Sequence, residues 1–358
     1  MPMTGFRIFK QVPRLLFGTG ALDRLDELLP AKQSGEDYYV FVVDDALQVH
    51  GIEQRIHPDG RDMVEWFPAT AKEPSTAQVD ALKQKVVAAR GAALPKAVIG
   101  IGGGSGMDVA KALSVMLCNE GPSSQYQGWD LVPHAGVYKV GVPTVSGSGA
   151  EASRTAVLMG KDRKFGINSD YSMFDAIILD SSLIASVPRE QRFHSGMDCY
   201  VHCVESLQGT MINELARGNA SKALELCKEV FLGDGTDDML MTASYMGGVS
   251  IVNSEVGVCH ALSYGLSLEL GYRHGFANCV AFNVLDEYYG PWVEDFRKML
   301  DRHNVVLPTR ICEKLDSQAM ERMVEMTLRM ERPLTNALGE NWRNEMTREK
   351  ILALYGEM

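Results

Sequence analysis

The stretch Gly196–Ser206, GMDCYVHCVES, places an acid, an imidazole and two thiols within six positions. Its neighbours predict a helix. On that helix Asp198 and His202 stand at i and i+4, one above the other on a single face, so a carboxylate and an imidazole can converge on one cation. The same pair is also common polar decoration of a packed helix, since a chain with 8 histidines meets Asp-x-x-x-His by chance. Another match, Asp130 to His134, contains Pro133 and cannot be a regular helix interior. His260 and His274 add two more imidazoles, 14 positions apart. One continuous helix would separate them by about 21 Å, too far to share an ion bound at about 2.0–2.2 Å. A break at Gly271 or Gly275, after a helix over about 258–269, would return His274 toward His260. Asp198, His202, His260 and His274 then form an N3O set suited to Fe(II) or Zn(II), with a coordination position open for substrate.

The other candidates read as bland. Cys199 and Cys203 are also i, i+4, but lie about 100° around the helix from the Asp/His face, which suits core packing. Glu190 and His194 sit at the helix entry and read as surface polar residues. His50, His57 and His303 read as solvated.

A second kind of chemistry is written in glycine. VIGIGGGSGMDVAKALS is an apolar strand ending in Gly102, Gly103 and Gly104, then Ser105, then a helix. Glycines there let backbone N–H groups approach an anion, and the helix N-terminus adds its positive dipole end, so a phosphate or diphosphate fits. Ser105 and Asp108 in the first turn either contact such a ligand or serve as cap and dipole partners. A similar turn follows the next strand, VPTVSGSGAEAS, with Thr144, Ser146 and Ser148 around its glycines. Asp44, ending the strand VFVVDD, is placed to hold an adenosine ribose. It precedes Gly102 by 58 residues, whereas the usual dinucleotide fingerprint puts its acid about 20 residues after the glycines. The site, if it binds a dinucleotide, is wired differently.

The elements that must position these groups divide in two. Strand-like runs at 38–45, 96–104, 138–144 and 175–180 alternate with helical patterns, one of them opened by Ser75 or Thr76 as cap. Continuous apolar strands in that rhythm predict a parallel, Rossmann-like sheet covered on both faces. Beyond residue 181 the strand signal gives way to helices. The expectation is an α/β domain over 1–180 and an all-α domain over 181–358, with the active site in the cleft between them. The chain's 358 residues, 46% of them apolar, suffice for two cores. A net charge of −11 and no Lys/Arg run argue against nucleic acid and for a small-molecule partner. No apolar stretch long enough to span a bilayer occurs, and the opening segment lacks a leader's continuous apolar core. Seven scattered cysteines without a C-x-x-C pair suit a reducing compartment, so a cytoplasmic protein is expected.

Taken together, RLLFGTGALDRLDELL, GGGSGMDVAKALS, PTVSGSGAEAS, LDSSLIASVPREQRFHSGMDCYVHCVES, the segment from His260 to Asn278, and REKILALY resemble the iron-containing (group III) alcohol dehydrogenases of the dehydroquinate synthase-like fold. The resemblance covers nearly the whole chain. It implies metal ligands at Asp198, His202, His260 and His274, and NAD contacts at Asp44, the Gly102–Ser105 turn, Thr144 and the 146–148 loop. It also implies a metal-stabilised alkoxide giving hydride to NAD, and a homodimer. Tyr264 stands where many relatives carry a second histidine, Gly265 where they carry proline, and Glu73 where they often carry asparagine. Those departures resemble the branch that oxidises the C8 hydroxyl of 3-deoxy-D-manno-octulosonate, a sugar acid of lipopolysaccharide biosynthesis. A tyrosine there is a poorer base than histidine at neutral pH. Other readings on this fold are an oxygen-dependent oxidase with tightly held cofactor, or dehydroquinate synthase-like carbocycle formation. The latter needs more Lys/Arg for a substrate phosphate than these motifs supply.

Overall fold

The computed structural model describes residues 8–69, 73–161 and 164–358. The first seven residues of the opening segment discussed above lie outside that range. Two compact units are present: one holds Gln11–Val145 and Ala150–Val187, the other Ser146–Gly149, Pro188–Met358 and the described part of residues 1–10.

The first unit runs β1 (Arg14–Phe17), β2 (Tyr39–Asp44), α1 (Glu53–Ile56), β3 (Met63–Phe67), α2 (Thr76–Arg90), β4 (Ala97–Gly102), α3 (Gly104–Met116), β5 (Gly128–Trp129), β6 (Lys139–Pro143), β7 (Thr155–Met159), β8 (Lys164–Asn168) and β9 (Ala176–Leu179). Six strands form a parallel sheet in the order β1-β9-β6-β4-β2-β3, and β5-β8-β7 form a small second one. Alternate residues of a strand feed different cores, which is why the central strands are apolar throughout. Tyr39, Phe41 and Val43 pack with Ile99 and Ile101 on one face, while Val40 and Val42 pack with Val98, Val109 and Leu113 on the other. The edge strands β1 and β3 are only partly buried and lack that pattern, so the sequence did not announce them. Ser75 caps α2 in a reciprocal box with Gln78; Thr76 is its first residue.

Chain direction matters more than strand count. From β2 the chain steps outward to β3, then crosses back to β4 on the other side of β2. This reversal opens a crevice at the carboxyl ends of β2 and β4, the place where open parallel sheets take ligands. Register puts Val43 beside Ile101 and Gly102 beside Pro143, so Asp44 and Gly102, which end β2 and β4, and Thr144, which follows β6, lie at one sheet edge.

The second unit is helical: α4 (Arg189–Gln208), α5 (Glu214–Leu232), α6 (Asp237–Val252), α7 (Val258–Leu270), α8 (His274–Phe282), α9 (Asp286–Tyr289), α10 (Pro291–His303), α11 (Ser317–Arg329), α12 (Glu331–Leu338), α13 (Trp342–Glu345) and α14 (Arg348–Glu357). Helix α4 is buried without interruption from Ser195 to Ser206. Gly196 permits its approach to α5, because a Cβ there would lie 2.2 Å from Phe231 Cζ. Among the described residues no helix is long and apolar enough to cross a membrane.

Candidate active site

Asp198 and His202 lie one turn apart on α4, as their spacing predicts. Helix α7 carries His260 and stops at Gly271, whose left-handed φ of 67° suits glycine. After a short connection His274 opens α8. Gly275 is not part of the break but lies inside α8, where a Cβ would sit 2.6 Å from the His194 carbonyl oxygen. The result is one cluster. The Nε2 atoms of His202, His260 and His274 lie 3.5, 3.4 and 3.6 Å from the same Asp198 Oδ1. A tetrahedral ion with bonds of about 2.1 Å has ligand atoms about 3.4 Å apart. Three imidazoles at that edge length around one carboxylate oxygen fit a divalent cation, and the four ligand atoms are mutually within 4.8 Å.

Charge in the cluster agrees with its geometry. Burial opposes ionisation of Asp198, but His202, His274 and His260 outweigh it and hold the carboxyl well below the usual range. Burial pushes His202 down. For His260 burial works against the charged form, yet Glu205 and Asp198 outweigh it and push the group up to about 9. A divalent cation binds by displacing such a proton, since imidazole ligands must be neutral at the bonding nitrogen.

Two neighbours of the cluster were not singled out from sequence. Asn278, one turn after His274 on α8, donates from Nδ2 to Asp198 Oδ1 at 2.6 Å. Glu205, 1% exposed, accepts at Oε2 from His260 Nδ1 at 2.5 Å. Their signal was available as helical spacing: Glu205 follows Asp198 and His202 at i+7 and i+3, and Asn278 follows His274 at i+4.

In the first unit the glycine turn is half-exposed and closely built. Gly103 is the N-cap of α3 without a side-chain cap bond, which leaves the first N–H groups of the helix for a ligand. Ser105 therefore lies in the first turn and is not the cap. A Cβ on Gly102 would come 3.1 Å from Asp44 Cβ, and Thr144 N–H donates to the Gly102 carbonyl at 2.9 Å. Asp44 also caps the turn after β2 by accepting from Ala46 N–H. The 58-residue gap now has its explanation: β3 and α2 intervene in sequence while β2 and β4 are neighbours in space. Asp108 is not the first-turn cap or dipole partner expected of it: it lies beyond the first turn of α3, with Oδ2 taking the Val157 N–H at 3.1 Å and Oδ1 facing buried Lys111 at 3.3 Å. Burial pushes its carboxyl up to about 6, against the pull of Lys111.

The second glycine turn behaves otherwise. Ser146–Gly149 belong to the helical unit. A Cβ on Gly147 would sit 1.7 Å from the Ser195 carbonyl oxygen, and one on Gly149 would sit 2.5 Å from Gly248 Cα. These glycines permit close packing on α4 and α6. Ser146 Oγ is buried and has no hydrogen-bond partner among the described residues, as suits a hydroxyl kept for a ligand. Ser148 lies in the same turn.

Of the remaining residues, Cys199 and Cys203 are core thiols, fully buried against Gly247, with Cys227 Sγ 3.5 Å from Cys199 Sγ. His194 and His303 are half-buried, not solvated: burial pushes both down, and both pack on Phe193. His50 and His57 are exposed. Tyr264 is half-buried, its ring edge-on to His274 at 5.8 Å. Gly265 makes room for the Tyr355 hydroxyl, which a Cβ would meet at 2.4 Å, and Glu73 pairs with buried Lys164 at 3.1 Å. Both departures from the family pattern thus have local packing or charge reasons.

Comparison with known proteins agrees with this architecture. The family described as "Iron-containing alcohol dehydrogenase" matches residues 13–181, and "Fe-containing alcohol dehydrogenase family, C-terminal" matches 192–337. A sulfoacetaldehyde reductase of Bilophila wadsworthia is 34% identical over 198 residues, which is 52% of this chain and only 51% of that protein. Long-chain-alcohol dehydrogenase 1 of Geobacillus thermodenitrificans is 28% identical over 74% of this chain and 68% of its own length. Among solved structures, a sulfoacetaldehyde reductase of Bifidobacterium kashiwanohense in complex with NAD+ superimposes with a TM-score of 0.79 at 20% identity, covering 98% of both chains.

Proposed function

We propose that this chain, which belongs to the iron-containing alcohol dehydrogenase family, is a metal-dependent, NAD-linked oxidoreductase that interconverts primary alcohols and aldehydes. The observation that carries the reading is the set of three imidazole Nε2 atoms 3.4–3.6 Å from one carboxylate oxygen. Asp198, His202, His260 and His274 would hold Fe2+ or Zn2+. Asp44, the Gly102–Ser105 turn, Thr144, Ser146 and Ser148 would hold NAD. Bound there, a divalent cation supplies a Lewis acid that stabilises an alkoxide, and a nicotinamide supplies the hydride acceptor.

The protein's own part is to position and to discriminate. The uncapped first turn of α3 offers N–H groups and a dipole end to a diphosphate. Asp44 selects NAD over NADP by accepting from a ribose 2′-hydroxyl and repelling a 2′-phosphate. Asn278 orders the Asp198 carboxylate by its 2.6 Å hydrogen bond. Tyr264 is assigned a hydrogen bond to the substrate oxygen, on the strength of its place beside His274.

For the substrate, the reading supported by Tyr264 beside His274 is a sugar acid or polyol with a terminal hydroxyl, 3-deoxy-D-manno-octulosonate at C8. A second reading, reduction of a short sulfonated aldehyde, is favoured by the 34% identity to a sulfoacetaldehyde reductase. Both are small anionic molecules. The test is metal analysis of the purified protein, then nicotinamide absorbance with simple primary alcohols, the sugar acid and sulfoacetaldehyde. One equivalent of metal with turnover of any of these supports the oxidoreductase, and their relative kcat/KM ranks the substrate readings. A protein that binds neither metal nor nucleotide after reconstitution refutes it.

A further inference from the structure

The buried carboxylate of Glu205 divides its two oxygens cleanly. Oε1 accepts from Cys259 N–H at 2.6 Å and from the Tyr289 hydroxyl at 2.8 Å. The Tyr289 oxygen in turn accepts from Val258 N–H at 3.0 Å, so Tyr289 spends its only proton on Glu205. Two donors, one of them a backbone N–H at the start of α7, thus fix the carboxylate plane. Oε2 faces His260 Nδ1 at 2.5 Å, and the Gly257 backbone N–H gives the carboxylate a further hydrogen bond. An ionised carboxylate only accepts. The proton of that bond therefore sits on Nδ1, and once a cation displaces the other proton the lone pair is left on Nε2, the atom that faces Asp198 Oδ1 at 3.4 Å. His202 is held differently, because its buried Nδ1 has no hydrogen-bond partner among the described residues.

We infer that Glu205 is a positioning residue of the metal centre. It selects the Nδ1–H tautomer of His260, locks the ring plane and adds negative charge one shell behind the ion. Helix α4 thereby contributes three groups from one face: Asp198 and His202 toward the ion, Glu205 toward the ligand that α7 supplies. The inference rests on the metal reading above, and goes beyond it by giving His260 a role distinct from that of His202. Outer partners of this kind are worth about ten- to a hundredfold in metal affinity.

The test compares wild type, Glu205→Gln and Glu205→Leu by competition for Zn2+ and Fe2+ against a chelator, with the melting temperature of each metal-free protein measured in parallel. Gln keeps an acceptor for Nδ1 but not the charge, and Leu keeps neither. The expected order of affinity is wild type, then Gln, then Leu, spanning about ten- to a hundredfold, while metal-free Gln melts close to wild type. If Leu does not fold, the Gln variant carries the comparison alone. Equal affinity of a folded Glu205 variant and wild type overturns the inference and leaves the metal reading standing. A wild type that takes up no metal overturns the metal reading itself.

Discussion

Replacing His274 by alanine separates metal binding from folding better than any other change in the cluster. Its side chain is 27% exposed at the first residue of α8, whereas those of His202 and His260 are 4% and 3% exposed. Truncating His274 leaves no sealed cavity, so the metal-free fold should lose no more than about 1 kcal/mol. The ion should lose far more. Nε2 of His274 lies 3.6 Å from Asp198 Oδ1, within 0.2 Å of the other two imidazoles, so no ligand of the set is marginal. Four-ligand zinc sites bind with about 10–16 kcal/mol. An equal share is about 3 kcal/mol for each ligand, roughly a hundredfold in affinity. Dialysis against graded chelator, with elemental analysis of the retained metal, reads the affinity, and thermal unfolding of the metal-free variant reads the fold. His260→Ala should lose metal to a similar degree but also destabilise the metal-free protein, because it leaves buried Glu205 without its imidazole partner. A His274→Ala variant that holds one equivalent of metal at wild-type affinity would refute the assignment of all four ligands as one set.

Asp44→Ser keeps the capping acceptor for Ala46 N–H but removes the charge; the NADP to NAD ratio of kcat/KM should rise by about tenfold or more, and an unchanged ratio would remove Asp44 from cofactor selection. Tyr264→Phe should lower kcat while metal content stays at wild-type level, and unaltered kinetics would deny Tyr264 any contact with substrate. Asp180 is fully buried and accepts from Gly20, Leu22 and Ser182 N–H, the Ser182 hydroxyl and Arg55. Asp180→Ala should cost about 3–5 kcal/mol, a fall in Tm of roughly 6–20 °C. Burial opposes the charge of Asp180, but those donors outweigh it and depress its folded pKa, so its stabilisation is present above the unfolded value near 3.9 and fades as pH falls through the lower folded value. A variant whose acid unfolding limb matches wild type would contradict that sign. Gly147→Ala, with its Cβ at 1.7 Å from a backbone oxygen, should cost more than about 3 kcal/mol, whereas Gly218→Ala on the exposed side of α5 should gain about 0.5–1 kcal/mol. Equal melting temperatures for the two glycine variants would show that α4 can move away from the Ser146–Gly149 turn.

Local periodicity carried a good part of this protein into plain view. The four strands buried on both faces were legible because a two-sided core demands unbroken apolar residues, and α2 announced itself by a cap at Ser75 or Thr76 ahead of apolar residues at helical spacing. Asp198 with His202 was legible because a single helix makes i, i+4 a fixed distance, and the need for a turn between His260 and His274 followed from the rise of a helix. Gly271, not Gly275, supplies that turn, and sequence left both open because a glycine required by positive φ and one required by close packing look alike. The edge strands β1 and β3 were missed because they are short, only partly buried, and carry a charged residue, Arg14 or Glu65, within the strand. Only tertiary structure could bring Asp44 beside the Gly102 turn, since neighbours in a parallel sheet are set by crossover direction and not by chain distance. It alone could join α4 to α7 and α8, place one carboxylate oxygen within 3.6 Å of three imidazoles, and turn Glu205 from another helical acid into the partner of His260. Side-chain convergence between elements depends on how helices pack, and packing is a property of the whole folded unit.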